Sequence, residues 1–197
     1  MGTAHVIGNG ESNSLYTPQS GTIMVCNIPK HNHPFDLYSI IDTRVIQYLM
    51  KEKLELLDKP IWATQVVKDF AKKNKIKGEF LHVYENIHRY NSGHHAVFWL
   101  SKKYNEIHIW GFDSMWSDDL LSQMDDRVKR PKRPPLNKQW RPHWEKLFKK
   151  YPNPKAFLKG KSEEQEKLLK PLGMVHVRTQ RLRRMSEDFL KWDRKDA

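Results

Sequence analysis

A chain of 197 residues with 35 Lys and Arg against 23 Asp and Glu, a net charge of +12, is long enough for one hydrophobic core and basic enough to favour anionic partners. Seven Trp, eight Phe and seven Tyr supply the apolar area of a folded protein and exclude a disordered tail. No apolar run approaches the ~20 residues of a membrane span and no secretory leader pattern opens the chain. The single Cys26 can form neither an internal disulfide nor a paired-cysteine zinc site, so a cytoplasmic protein is expected.

In chain order, Val6–Ile7 reads as a first strand and Thr22–Cys26 as a second. Leu37–Ile41 is a third, ending in Asp42. Thr43 is placed to cap a helix to about Lys53, with Val45, Ile46, Leu49 and Met50 at helical spacing. Ile61–Ala63 is a fourth strand after Pro60. Thr64 then caps a helix Gln65–Lys73 with Val66, Val67 and Phe70 as its apolar face. Phe80–Val83 is a short fifth strand. Asn91 or Ser92 opens a helix carrying Ala96, Val97, Phe98 and Leu100, and Ile107–Trp110 follows as a further strand.

Strands alternating with helices predict an α/β fold, a Rossmann-like and mainly parallel sheet covered by helices on both faces. Residues 1–125 form this core in the sequence reading, and residues 126–197 a basic, Pro-containing connection and helical region packed on it. Arg127–Leu136, with Pro131, Pro134 and Pro135, reads as irregular. Asn137 then caps a helix Lys138–Lys150 with Trp140, Trp144, Leu147 and Phe148 on one side, ended by Pro152 and Pro154. Helices around residues 163–170 and 183–192 flank a possible strand Met174–Val177.

The most informative stretch is His5-Val-Ile-Gly-Asn-Gly-Glu-Ser12, a strand running into a glycine turn. Glycine accepts positive φ and the close approach of a phosphate or ribose, while Asn9 and Ser12 offer hydrogen bonds. Parallel sheets bind ligands beyond the carboxyl ends of their strands. Gly8, Asn9, Gly10, Ser12, Asn27, Asp42, Ser92, Gly93 and Asp113 all fall at such ends or at a helix start. Singly, each is equally well a cap or a turn; together they outline one binding rim.

Four landmarks, Val6-Ile-Gly-Asn-Gly-Glu-Ser12, Val25-Cys-Asn27, Asn91-Ser-Gly93 and Glu106-Ile-His-Ile-Trp-Gly-Phe-Asp113, occur in this order. In them the chain resembles the bacterial sialyltransferases of glycosyltransferase family forty-two and related phage-encoded proteins with a Gly-Asn-Gly-x-Ser signature, over roughly residues 4–118. The resemblance implies a Rossmann-like fold and transfer of sialic acid from CMP-sialic acid without a metal ion. It implies Asn9, Gly10 and Ser12 against the phosphate and ribose, and Asn27 on the phosphate or donor sugar. It further implies Ser92 and Gly93 lining the cytidine pocket and Asp113 on the nucleoside. Asp42 stands where the family tends to carry asparagine, and a carboxylate there repels a phosphate.

Glycosyl transfer needs a base for the acceptor hydroxyl and a group to receive the leaving phosphate. His143 and Arg141 are the candidates, the Arg through its planar fork; the alternative is that Trp140 and Trp144 anchor the core and both polar residues face solvent. No cofactor is expected beyond a nucleotide-sugar donor such as a CMP-sugar as substrate. No metal is expected either: His31-Asn-His33 beside Asp36 reads as an exposed loop, and His94 and His95, near His88, do not share a helix face. Ser114, Met115 and Trp116 follow Asp113 where the family carries an aromatic hydroxyl. A second expectation is therefore a non-catalytic binding or structural protein. Its basic segments Arg127–Lys150 and Arg178–Arg184 would hold nucleic acid or an acidic protein.

Overall fold

A computed structural model of the chain describes residues 2–29, 32–52, 57–85, 90–113, 136–158 and 175–177. Eight strands are described: β1 (Thr3–Ile7), β2 (Thr22–Cys26), β3 (Leu37–Ile40), β4 (Ile61–Thr64), β5 (Phe80–Tyr84), β6 (Glu106–Trp110), β7 (Pro154–Phe157) and β8 (Val175–Val177). They form one sheet in the order β5-β4-β3-β2-β1-β6-β7-β8, and every pair runs parallel. Four helices accompany it: α1 (Thr43–Glu52), α2 (Gln65–Lys73), α3 (Ser92–Ser101) and α4 (Leu136–Lys150). The α/β Rossmann-like fold expected of the alternating pattern is the one observed.

Side chains leave a strand alternately to either face, and the two faces of this sheet bury separate cores. Ala4, Val6, Met24, Ile107 and Ile109 meet Ala96, Val97 and Leu100 of α3 and Trp144, Leu147 and Phe148 of α4. On the other face Ile7, Val25, Tyr38, Ile40 and Ile61 meet Val45, Ile46 and Leu49 of α1 and Val67 of α2. Trp144 is fully buried. Trp144 and the partly buried Trp140 anchor the core, as one of the two alternatives for this segment expects, but His143 packs against Tyr90 and His94 instead of facing solvent.

Several local expectations are corrected. Asp42, not Thr43, caps α1: its Oδ1 accepts from Arg44 N–H at 2.9 Å and its carbonyl from Val45 N–H at 3.0 Å. Thr64 occupies the cap position of α2 without a capping bond. Its hydroxyl donates instead to the Ile41 carbonyl at 3.4 Å. Val66 is not on the apolar face; it is 68% exposed, because the sheet meets α2 along Val67 and Ala71. Asn137 lies inside α4, which begins at Leu136. Pro154 does more than end that helix. It opens β7, an unexpected strand whose Ile107↔Pro154 pairing extends the sheet beyond β6. Proline suits that first position because a strand start tolerates the missing N–H. The expected connection 127–135 and the helices at 163–170 and 183–192 lie outside the described residues.

Candidate functional site

Strand order reverses once, between β1 and β6. From β1 the chain moves outward through β2 to β5, then returns to place β6 on the other side of β1. At such a reversal the connections leave in opposite directions, and the carboxyl ends of the two strands open a crevice. Gly8-Asn9-Gly10 follows β1 and Gly111-Phe112-Asp113 follows β6, so both turns stand at this point.

The two turns are bonded to each other. Gly8 N–H donates to the Trp110 carbonyl and Gly10 N–H to the Gly111 carbonyl, both at 2.7 Å. Ser12, fully buried, donates its backbone N–H to Asp113 Oδ2 at 2.9 Å and its hydroxyl to Oδ1. Asp113 is itself only 3% exposed, and burial of its charge raises its pKa while the two Ser12 bonds oppose the rise. Ser12 and Asp113 thus form an internal clasp across 101 residues of sequence, joining a short 3-10 turn (Glu11–Leu15) to the end of β6.

The glycines serve this closeness rather than a left-handed backbone. Gly10 has φ −68°, and positive φ falls instead at Gly111 (75°) and Asn27 (60°). A Cβ on Gly8 would stand 2.7 Å from the Gly111 carbonyl oxygen and 2.8 Å from the Phe112 ring. One on Gly93 would overlap the same ring. Phe112 fills the space both glycines leave, wedged between the β1 turn and the start of α3.

Asn9 and Asn27 lie side by side along the rim. Asn9 Nδ2 donates to the Cys26 carbonyl at 3.0 Å, tying the end of β1 to that of β2. Asn27 donates its backbone N–H to the Ser39 carbonyl at 3.0 Å, and its Oδ1 is buried without a partner among the described residues. The first turn of α3 seats on this rim through Ser39, whose hydroxyl donates to the Ser92 carbonyl at 2.8 Å and lies 2.7 Å from Tyr84 Oη. Since the Ser39 proton is committed to Ser92, Tyr84 is the donor in that second bond. The Cys26 thiol lies against Ser39 and Ser92, and burial pushes its pKa up to about 12, so it is no nucleophile at neutral pH.

The structure therefore brings Gly8, Asn9, Gly10, Ser12, Asn27, Ser92, Gly93 and Asp113 to one edge. Asp42 is set apart from them. It follows β3, two strands from β1, and its carboxylate caps α1 and pairs with Arg44 at 2.8 Å. His143 lies within α4, beside Tyr90 (ring centres 5.4 Å apart) and His94 (5.7 Å). Arg141 is two positions away on the same helix, and residues so spaced leave it on different sides. His94 is fully buried. Its Nδ1 accepts from Asn91 N–H at 3.1 Å, and Asn91 Oδ1 accepts from His94 N–H at 2.8 Å. This reciprocal cap puts the imidazole proton on Nε2, and burial, followed by His143, holds the pKa of His94 well below its usual value. Among the described residues no group of three or more His, Cys, Asp or Glu is close enough to hold a metal, and no helix is long and apolar enough to cross a membrane. His31, His88, residues 114–116, and the basic residues 127–135 and 178–184 lie outside the described residues.

Asn91, one of the two helix openers expected, is the cap of α3, while Ser39, Cys26, Tyr84 and Phe112 are site residues to which the motif reading gave no role. Ser39 had a signal in the sequence, a lone hydroxyl in the apolar strand Leu37-Tyr-Ser-Ile40. Cys26, Tyr84 and Phe112 had none, because their roles depend on partners far away in the chain. The molecule is thus a doubly wound parallel α/β protein with a rim of polar residues at its strand reversal. No protein-family model matches the chain, and no curated protein and no solved structure is significantly similar to it.

Proposed function

We propose that the protein binds a nucleotide or nucleotide sugar at the rim formed by Asn9, Asn27 and the start of α3, beside the joined β1 and β6 turns. It would work in the manner of the sialyltransferase-like proteins that its four motifs resemble, as a metal-independent glycosyltransferase of CMP-sugar type. The observation that carries the reading is the convergence of Asn9, Asn27 and the Ser92–Gly93 helix start beside the strand reversal. The unpartnered Asn27 Oδ1 adds to it, since a buried acceptor of this kind is satisfied by a ligand hydroxyl or amino group. Ser12 and Asp113 hold the rim in shape, and the ligand meets the backbone they position. His143 receives the acceptor proton in this reading, and Arg141 answers to the phosphate only through a movement of α4. A phage source belongs to the same likeness, and a cytoplasmic setting follows from the single cysteine.

Isothermal titration with CMP, CDP, UMP and their sugars tests the binding. A cytidine nucleotide should bind, and Asn27→Ala should weaken it at least ten-fold, the ~1.4 kcal/mol of one lost hydrogen bond. Silence of the whole panel at millimolar ligand overturns the reading. His143→Ala should leave CMP binding intact and remove sugar transfer.

A further inference from the structure

The opposite end of α3 has a different chemistry. Lys102 and Lys103 follow its last residue, both exposed. Lys102 Nζ stands 4.1 Å from the Trp99 ring centre and 4.2 Å from that of Phe98. Lys103 Nζ lies 5.0 Å over Trp62. Lys150, arriving from the end of α4, lies 5.3 Å from Phe98 and 5.5 Å from Tyr151. Beneath them His82 of β5 packs against Trp99 at 4.6 Å and Trp62 at 4.8 Å.

Two features set this face apart from an ordinary solvated one. Among the described residues Lys102, Lys103 and Lys150 are the lysines seated over aromatic rings, and none of the three makes an ion pair there. Trp99 Nε1 and His82 Nε2 are buried there without hydrogen-bond partners among the described residues. Burial and then Lys103 lower the pKa of His82, with Glu85 opposing and Lys102 adding to the effect. Cations at a helix C-terminus are favourable singly. Three of them gathered from two helices, interleaved with part-exposed Trp99 and Tyr151, offer alternating point charges and ring faces.

We propose that this face binds single-stranded nucleic acid, with backbone phosphates on Lys102, Lys103 and Lys150 and bases against Trp99 and Tyr151. An acidic protein would use the lysines but leave the rings idle, whereas a single strand supplies phosphate and flat base at every step. Lysine meets phosphate as a mobile point charge and can leave its ring to do so. The face is independent of the nucleotide reading, since it lies at the other end of α3 from Ser92.

The test is fluorescence anisotropy of a labelled oligothymidylate with the full chain across a salt series. Affinity should fall with salt. In Lys102→Gln/Lys103→Gln the log–log slope should drop by roughly 0.7 for each lysine, the value for single strands. Lys72→Gln/Lys73→Gln removes the same charge from exposed positions on α2 and should leave affinity and slope within error. An equal loss in both variants, or none in the first, overturns the proposal. So does competition by polyglutamate as effective as that by oligothymidylate at equal charge, which assigns the face to acidic proteins. CMP titration of the same variants should be unchanged, so failure here and failure of the nucleotide reading are told apart.

Discussion

The two ends of α3 belong to one ten-residue helix and face opposite fates. At its start Ser92, Gly93, His94 and His95 are buried, and the chain's own atoms meet the Ser92 carbonyl through Ser39 and the N–H and Nδ1 of His94 through Asn91. At its finish Lys102 and Lys103 stand in solvent over aromatic rings, without an ion pair among the described residues. Burial with internal partners fixes a geometry, which a crevice for a small ligand requires. Unanswered charge leaves a surface that can adapt, which suits a long and variable polymer. Position in a parallel sheet explains the division. The helix start sits at the carboxyl ends of the strands, where the turns converge, and the helix end sits where strands begin and little converges.

The largest expected effect tests the buried end by acid. His95 stacks on Tyr84 at 4.6 Å, and burial lowers its pKa from 6.5 to about 4; His94 is lowered well below its usual value as well. The unfolded chain therefore takes up protons that the folded one refuses. Stability is intact above pH 6.5 and falls as pH drops toward the folded values, by roughly 2 kcal/mol for His95 between pH 7 and pH 5, with His94 acting in the same direction. Asp113, with a raised pKa, has the opposite sign and gains stability as pH falls through its own folded value. Urea midpoints measured across that range should decline steeply, and His95→Phe, which keeps the stacked ring, should remove about half of the decline. A flat profile would mean that the helix start is open to water and that its two ends do not differ.

A smaller effect sharpens the steric side. Gly93→Ala drives a methyl into the Phe112 ring and should cost about 2 kcal/mol, a fall of roughly 4 to 8 °C in Tm for a chain of this size. Gly93→Ala combined with Phe112→Leu should recover part of the loss in thermal unfolding. No recovery would show that the glycine serves something other than this close approach.

The layers of the fold were legible because alternating apolar residues and helix-spaced faces are local signals. Thr22–Cys26 and Gln65–Lys73 match their expected bounds. β7 was hidden because Pro154 and Lys155 read as a helix stop in a basic segment, and only pairing with β6 makes them a strand. At the rim the residues were legible but their reasons were not. The glycines of the β1 turn were read as room for a ligand, and the structure shows them making room for Gly111, Phe112 and Asp113. Ser12 was read as a ligand donor and is spent on Asp113. Spacing along a chain reveals which residues meet at a strand end, but not whether a hydrogen bond is satisfied from 101 positions away.

The smallest effect isolates the polar bonding that seats α3. Ser39→Ala takes one donor from the Ser92 carbonyl, which keeps its intrahelical bond, and leaves the buried Tyr84 hydroxyl only its 4.0 Å contact with Met24 Sδ, and should cost about 1 kcal/mol. Tyr84→Phe removes that under-satisfied hydroxyl. The double variant should therefore be less damaged than the two single losses added together, by about 0.5 kcal/mol or more in a denaturant cycle. Strict additivity would mean that Ser39 and Tyr84 act separately. The start of α3 would then be held by apolar packing alone, leaving the Lys102 end as the polar feature that distinguishes the helix.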